Sequence, residues 1–415
     1  MVFPKISEVN ITEMKRKAIR RFVQYSKLLR LLARFKILKI VDMLFIKKNN
    51  KYIVVPKKQY GYKCNVRLIA EALALNNKDV TVFWEGNLEP MIERDLIKKG
   101  IRFINKYNLS YIFHLVTSKN LLLSHSIRDA YLSYNNPKRN VINLWHGVPI
   151  KNIEQAIPKY EKFQNHQQTS IKKQNNVLVA SSITDQTAMA KCFGLAKSNV
   201  WVTGLPRYDY LLDKVVLPSD LLVDESELLK LLSGRKLILY APTFRTNQTG
   251  SVFTEELKKD LLSLADFCSG LGLVFGIRSH ISDPVGRLFN DNKILNLNSI
   301  IIQETNLLLK HVDCLITDFS SIWIDYLLLN RPIICFAQDK DDYLLNDRGV
   351  LYPFDKIFPE PFVDSVECVK SRLLSLHNNG SWVAHYHEQL EMFHTSIDLN
   401  ENYTNRVVES ILNHE

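Results

Sequence analysis

Short apolar segments recur along the chain, and each ends in small or polar residues before a helix-like stretch begins. This alternation constrains the fold more than any other feature, because strands that alternate with helices at this pace form a parallel sheet with crossover helices. The first series of predicted strands comprises KYIVVP (51–56), DVTVFWEG (79–86), GIRFINK (100–106), VINLWHG (141–147), NVLVASS (176–182) and NVWVTG (199–204).

A second series follows residues 213–235, a mixed stretch in which we place the connection between two domains. Its predicted strands are KLILYAPTFR (236–245), LVFGIRSH (273–280), SIIIQ (299–303), DCLITDFSS (313–321) and RPIICFA (331–337). A chain of 415 residues is long enough for two packed domains. We therefore expect an α/β protein with two Rossmann-like domains, 49–225 and 226–415, whose parallel sheets face a cleft, with helices at the C-terminus.

The net charge of +11 is concentrated in one segment. Between Met14 and Lys48, twelve Lys or Arg residues accompany a single acid, Asp42, so this segment carries the whole excess. Large apolar residues interleave with the basic ones at helical spacing, which is typical of a helix lying in an anionic membrane surface. An ordinary surface helix and an RNA-binding arm are the alternatives, although a neutral body argues against nucleic acid as a partner. We interpret residues 1–48 as a basic amphipathic, membrane-associating segment.

Hydropathy, cysteine spacing and acidic motifs bear on where the protein acts and on whether it binds a metal. We expect neither a signal peptide nor a spanning helix, because no uninterrupted apolar run approaches the ~20 residues that a bilayer requires. The six cysteines show no CxxC pair and no metal-ligand spacing, which indicates buried free thiols in a reducing compartment. One DxD-like run, Asp339-Lys340-Asp341, lies in a charged stretch typical of a solvated loop. We predict no metal site from these residues, and a dependence on Mg²⁺ stays open.

Two histidines follow directly after predicted strands, one in each domain. His146 stands in the run Trp145–Lys151, beside Gly147, which permits a tight turn or the close approach of a ligand. His280 closes the run RSH, next to Arg278, whose fixed positive charge suits a phosphate. A histidine at such a position has a structural role or acts as a general base. The second role is chemically suitable because the pKa of histidine lies near working pH.

The run TDFSSIWID (317–325) contains the densest set of candidate ligands. Its hydroxyls and the free backbone N–H groups at a helix start can donate to phosphate oxygens, although a simple helix cap would have the same sequence. Asp325 could bind the ribose hydroxyls of a nucleotide. Three arginines in other loops either clamp phosphate or pair with acids. The candidate ligands in these runs are Arg207, Thr243, Arg245, Thr317, Asp318, Ser320, Ser321, Asp325 and Arg348.

Together these runs closely resemble the CDP-glycerol:polyglycerophosphate glycerophosphotransferase family, which includes teichoic acid primases and polymerases. The matching order is WHGVPIK, TGLPRYD, ILYAPTFR, RSH, LITDFSSIWIDY, RPIICF and DDYLLNDRGV, all within residues 141–350. The resemblance implies a GT-B enzyme that acts peripherally on the cytoplasmic face of the cell membrane. Residues 49–225 would then form the acceptor domain and residues 226–415 the CDP-donor domain.

The same resemblance implies roles for individual residues. The family's catalytic base falls on His146 and its second essential histidine on His280, which would stabilise the phosphate charge. The diphosphate site falls on Thr317, Ser320 and Ser321. The implied reaction moves glycerol phosphate from CDP-glycerol to a lipid-linked or polymeric acceptor and releases CMP. Two alternatives remain, because the motifs do not separate the donors. One is transfer of ribitol phosphate from CDP-ribitol, and the other is transfer of a sugar from a nucleotide sugar by a related GT-B enzyme.

Overall fold

A computed structural model of the chain describes residues 37–414 with internal gaps. The gaps fall at 58–60, 85–87, 106–107, 109, 133, 135, 158–176, 244, 246–251, 281–282, 284–291, 300, 342, 344–348 and 397–400. Most of the predicted basic segment, residues 1–36, and the candidate ligand Arg348 therefore lie outside the described residues.

Seven parallel strands form the first sheet, in the order β3-β2-β1-β4-β5-β6-β7. The strands are β1 (Lys48–Val55), β2 (Asp79–Trp84), β3 (Arg102–Asn105), β4 (Ser118–Leu123), β5 (Asn140–Asn143), β6 (Val177–Ala180) and β7 (Val200–Val202). Six of them match predicted segments. The seventh, β4, lies in the centre of the sheet and was not predicted, because its first residues, Ser118, Lys119 and Asn120, hide a short apolar run.

Five parallel strands form the second sheet, in the order β10-β9-β8-β11-β12. They are β8 (Leu237–Ala241), β9 (Val274–Ile277), β10 (Leu295–Asn296), β11 (Val312–Thr317) and β12 (Ile333–Cys335). The prediction of a strand at 299–303 was wrong, since the edge strand is β10 instead. Ile302 is buried there, but its carbonyl accepts a hydrogen bond from the Arg278 side chain rather than from a sheet.

Helices cover both faces of the sheets, as the alternation predicts. The described α-helices are Ile37–Leu44, Cys64–Leu75, Pro90–Lys98, Ser110–Thr117, Ile183–Phe193, Tyr208–Leu211, Ser219–Leu232, Glu255–Gly270, Thr305–Lys310, Ile322–Tyr326, Phe354–Ile357, Val366–Asn378, His387–Phe393 and Tyr403–Asn413. Among the described residues, no helix is long and apolar enough to cross a membrane.

The chain passes between the two domains more than once. The position chosen as the domain boundary, residue 225, lies inside the helix Ser219–Leu232. The last helix, Tyr403–Asn413, returns to the first domain, where Val407 and Ile411 pack in the same core as the helix Cys64–Leu75. One boundary between two continuous segments cannot describe this arrangement. The amphipathic C-terminal helix buries its apolar face against the first sheet rather than the second.

The end of the predicted basic segment belongs to the first domain. Asp42, its single acid, is fully buried in the helix Ile37–Leu44 and accepts hydrogen bonds from Arg139 Nη2 at 2.5 Å and Lys47 Nζ at 2.8 Å. Arg139 is itself 1% exposed. Removing Asp42 would leave that guanidinium buried without its carboxylate, which is strongly destabilising. The helix therefore anchors the segment to the domain.

Candidate active site at the facing sheet edges

The carboxyl ends of the strands carry almost every predicted site residue. In the first domain, His146 follows β5 and Arg207 follows β7. In the second, Thr243 follows β8, His280 follows β9 and Thr317 ends β11. Ligands of open parallel sheets bind at this edge, so the fold gathers the dispersed motifs in the cleft between the domains.

The surroundings of His146 keep its imidazole neutral. Its Nδ1 lies 3.2 Å from the carbonyl oxygen of Ser124, which can only accept, so Nδ1 carries the hydrogen and Nε2 the lone pair. The Trp145 ring lies 4.3 Å from the imidazole and that of His125 lies 5.9 Å away. Desolvation lowers the pKa of His146 to about 3, and the charges of Lys57 and Arg207 act in the same direction.

Arg207 joins the His146 loop to the second domain. Its Nη1 donates to the carbonyl oxygen of His146 at 2.5 Å and its Nη2 donates to Asp325 Oδ1 at 2.6 Å. Gly147 has a φ of +146°, and a Cβ there would lie 2.8 Å from Arg207 Nη2, so only glycine lets the guanidinium approach. Asp325 is 2% exposed, and burial raises its pKa although Arg207 opposes the rise. The structure thus places Arg207 and Asp325 in an interdomain bridge.

In the second domain, Arg245 and Asp318 form a buried network. The Arg245 guanidinium makes two hydrogen bonds to Asp339, at 2.7 and 2.8 Å, and lies 2.8 Å from Asp318 Oδ2. Asp318 Oδ1 accepts from the backbone N–H of Thr243 at 2.7 Å. Asp318 and Asp339 raise the pKa of Arg245. This network fixes the loops after β8, β11 and β12 relative to one another.

The hydroxyl residues predicted to bind a diphosphate lie in the loops after β8 and β11, and they differ in their hydrogen-bond partners. Thr317 Oγ1 donates to the carbonyl oxygen of Ala241 at 2.7 Å, so its remaining capacity is that of an acceptor. Ser320 and Ser321 are half-buried and precede the helix Ile322–Tyr326. The Oγ1 of Thr243 is buried and makes no hydrogen bond within the described part of the chain.

Arg278 and His280 are neighbours with different environments. The Arg278 guanidinium is buried and donates to the carbonyl oxygens of Leu297 and Ile302, at 2.8 and 3.0 Å. Burial lowers the pKa of Arg278 to about 10. His280 is exposed to the cleft, where partial desolvation and the charge of Lys151 lower its pKa. Arg278 therefore connects the loop after β9 to Leu297 and Ile302.

Several residues of the site were not singled out from the sequence. Lys57 and His125 follow β1 and β4, and the strand-end rule that found His146 would have indicated Lys57 as well. His125 was missed with its strand, although its ring stacks 5.2 Å from Trp145 and its Nδ1 lies 3.7 Å from Asp129. Asp283, whose charge opposes the lowering of the His280 pKa, carried no signal in the sequence.

Within the described residues, no group of three His, Cys, Asp or Glu side chains converges as metal ligands. In the DxD-like run, both carboxylate oxygens of Asp339 bind Arg245. Asp339 therefore has a structural partner in this network.

Two parallel-sheet domains with facing carboxyl edges and a returning C-terminal helix define a GT-B protein. The chain belongs to the CDP-Glycerol:Poly(glycerophosphate) glycerophosphotransferase family, whose model matches residues 38–413. The solved structure of the wall teichoic acid polymerase TagF has the same fold, with a TM-score of 0.71 at 19% identity, over 95% of this chain and 97% of that chain.

Relatives with assigned functions are 24–30% identical to the matched parts of this chain. The ribitol-phosphate polymerase TarK of Staphylococcus aureus is 28% identical over 57% of this chain and 46% of its own length. A teichoic acid poly(glycerol phosphate) polymerase of Bacillus spizizenii is 24% identical over 78% of this chain and 82% of its own length. The chain spans less than half the length of the first relatives it matches, 46% of TarK and 34% of the related polymerase TarL.

Proposed function

We propose that this chain transfers a polyol phosphate, sn-glycerol phosphate in the first instance, from a CDP-activated donor to a hydroxyl of a lipid-linked or polymeric acceptor. CMP is released, and the product extends a teichoic acid, capsule or O-antigen-type surface polymer. The observation that carries the proposal is the placement of His146, directly after β5 at the edge that faces the second domain, in a chain of this family. Its Nδ1 hydrogen bond to the carbonyl oxygen of Ser124 leaves the lone pair on Nε2.

The reaction follows from that arrangement. The acceptor hydroxyl oxygen attacks the β-phosphorus of the donor while His146 Nε2 takes the hydroxyl proton. The bond between the β-phosphorus and the bridging oxygen breaks, and CMP leaves with that bond's electron pair. His280 donates to the phosphate oxygens as negative charge builds up. Thr243, Ser320 and Ser321 donate to the diphosphate, whereas the Thr317 hydroxyl, which donates to Ala241, takes no part. Catalysis then consists mainly of positioning and charge stabilisation.

The direct test is CMP release by the purified protein, offered CDP-glycerol and CDP-ribitol separately with a lipid-linked glycerophosphate acceptor. We expect CMP from one donor only, dependent on the acceptor. Release of CMP without acceptor would indicate hydrolysis, and absence of CMP from both donors in folded protein would contradict the proposal. A screen of nucleotide sugars would follow in that case.

CDP-ribitol is the second candidate donor because of the relatives. The staphylococcal proteins TarK and TarL, 28% and 30% identical to the matched parts of this chain, are ribitol-phosphate polymerases. A glycerol-phosphate polymerase and a glycerol-phosphate transferase match over larger shares of the chain, 78% each. The paired assay separates the two donors in one experiment.

We also propose that the protein binds the cytoplasmic face of an anionic membrane peripherally. The described end of the basic segment exposes large apolar side chains: Leu44 is 77% exposed and Ile46 86%. Phe113 is 55% exposed on the helix Ser110–Thr117, which packs against the helix Ile37–Leu44. These apolar groups, next to a segment rich in Lys and Arg, suit the interface of an anionic bilayer.

The membrane proposal is tested by sedimentation with liposomes rich in phosphatidylglycerol. Because Asp42 anchors the domain, the truncation removes residues 1–36 only, and a second variant carries Leu44→Glu and Ile46→Glu. We expect both to sediment less than the wild type at low salt. Val216→Glu, at a site 96% exposed in the interdomain connection, is the matched control. Unchanged sedimentation of both variants would contradict this proposal without affecting the catalytic one.

A further inference from the structure

Lys57 is built into the same assembly as His146. Its backbone N–H donates to Ser124 Oγ at 2.8 Å, while the carbonyl oxygen of Ser124 contacts His146 Nδ1. Ser124 thus ties the loop after β1 to the imidazole. Lys57 is half-buried, and desolvation lowers its pKa against the opposing influence of Asp129 and Glu154. A partly desolvated ammonium interacts more strongly with an anion than an exposed one does.

Lys151 reaches the cleft from the other end of the His146 loop. Its backbone forms an antiparallel bridge with Val350 of the second domain, and Asn152 N–H donates to the carbonyl oxygen of Gly349 at 3.1 Å. Its Nζ lies 4.7 Å from the centre of the Tyr343 ring. The backbone bridge fixes Lys151 at the junction of the two domains.

The two lysines lie within electrostatic reach of the histidines. Lys57 is close enough to both His146 and His280 for its charge to lower the pKa of each. Lys151 acts on His280 in the same way. Both lysines belong to the first domain, whereas His280 belongs to the second. Asp129 and Glu154 act on Lys57, and Asp283 acts on His280, so these positive charges are partly compensated, and an anion bound between the domains would interact favourably with both lysines.

We propose that Lys57 and Lys151 bind the phosphoryl group that is transferred, on the side opposite the hydroxyl residues of the second domain. This inference rests on the proposed function. In the reaction the β-phosphate must lie between the base at His146 and the departing CMP, and its oxygens gain negative charge as the acceptor attacks. Two ammonium groups supplied by the acceptor domain would stabilise that charge only when the domains are together.

The test compares the binding of CDP and CMP by titration calorimetry, which requires no acceptor and no choice of polyol. The variants are Lys57→Gln and Lys151→Gln, with Lys98→Gln on the exposed helix Pro90–Lys98 as the control. We expect each cleft variant to lose about tenfold in affinity for CDP, equivalent to ~1.4 kcal/mol. Affinity for CMP, which lacks the β-phosphate, should change less than twofold, and Lys98→Gln should match the wild type.

A second readout separates a local charge effect from a folding defect. Removing a nearby cation should raise the NMR titration midpoint of His280 in both variants, and thermal midpoints should stay within a few degrees of the wild type. Lys57→Arg and Lys151→Arg should recover part of the CDP affinity.

The outcomes distinguish this inference from the donor assignment. Equal losses for CDP and CMP, or no loss for either, would overturn the role of the lysines and leave the proposed function standing. Unchanged CDP binding with a raised KM for the acceptor would assign them to an acceptor phosphate and overturn the inference as stated. A wild-type protein that binds neither nucleotide would contradict both.

Discussion

The polar side chains at the two facing sheet edges have different kinds of partner. At the first edge, Nδ1 of the neutral His146 imidazole contacts the carbonyl oxygen of Ser124, and Lys57 and His125 lie nearby. At the second edge, Arg245 and Asp318 bind each other and the neighbouring loops. The first edge therefore supplies groups that can exchange a proton, and the second supplies a rigid frame of paired charges.

Because of this difference, we expect substitutions at the first edge to change the reaction rate and substitutions at the second edge to change the stability of the fold. A proton-accepting group contributes to the rate but little to folding, because it makes few contacts that the unfolded chain lacks. A buried charge network contributes to folding, since loss of one member leaves its partner buried and unpaired. The comparison fails if substitutions at the two edges have the same effect.

The largest expected effect is on the rate at the first edge. His146→Ala should lower kcat by roughly 10²–10⁴-fold, because the acceptor hydroxyl loses its general base. Affinity for CDP should stay within about twofold, since the base acts on the acceptor. Steady-state CMP release and calorimetry measure the two quantities. His377→Ala, on the helix Val366–Asn378, is the control, and wild-type turnover in His146→Ala would exclude the residue as the base.

The second-largest effect is expected on the free energy of unfolding, at the second edge. Asp318 is 1% exposed, so Asp318→Ala should lower the free energy of unfolding by about 1–3 kcal/mol, because the Thr243 N–H loses its acceptor and Arg245 is left with Asp339. Urea unfolding followed by circular dichroism measures the change. Asp341→Ala, at an exposed position two residues after Asp339, should stay within about 0.5 kcal/mol of the wild type. Equal midpoints for the two variants would refute the rigid frame.

The sequence predicted the location of the site better than the partners of its residues. His146, His280 and Thr317 follow or end strands, and the rule for parallel sheets placed them at the carboxyl edges of the two sheets. The same rule could not show that Arg207 bonds to Asp325, because they are 118 residues apart and belong to different domains. A ribose ligand and an interdomain ion pair require the same kind of side chain, and only the fold distinguishes them.

A smaller effect on kcat is expected at Gly147, which lies against the Arg207 guanidinium that connects the two edges. Gly147→Ala would place a Cβ 2.8 Å from Arg207 Nη2 at a φ of +146°, so the loop must shift and with it His146. We expect kcat to fall roughly tenfold, consistent with about 1–3 kcal/mol of backbone strain. Gly100→Ala is the matched control, because Gly100 also has a positive φ, +70°, but nothing lies within 4 Å of its Cβ position. Equal activity of the two variants would show that the contact does not position the base.

The smallest expected change is in the titration of His146 itself. Desolvation lowers its pKa to about 3, so the imidazole should stay neutral between pH 5 and 8, and its ¹³Cε1 NMR shift should stay constant. The signal is assigned by its loss in His146→Gln, and free histidine, which titrates near 6.5, is the reference. In the unfolded chain the ring takes up a proton below about 6.5, so this residue makes the fold less stable as pH falls toward 3. His146→Gln should therefore lose less stability than the wild type between pH 7 and 5. A midpoint near 6.5 in the folded protein would mean that the first edge holds an ordinary histidine, and the contrast between a proton-accepting edge and a rigid one would lose its basis.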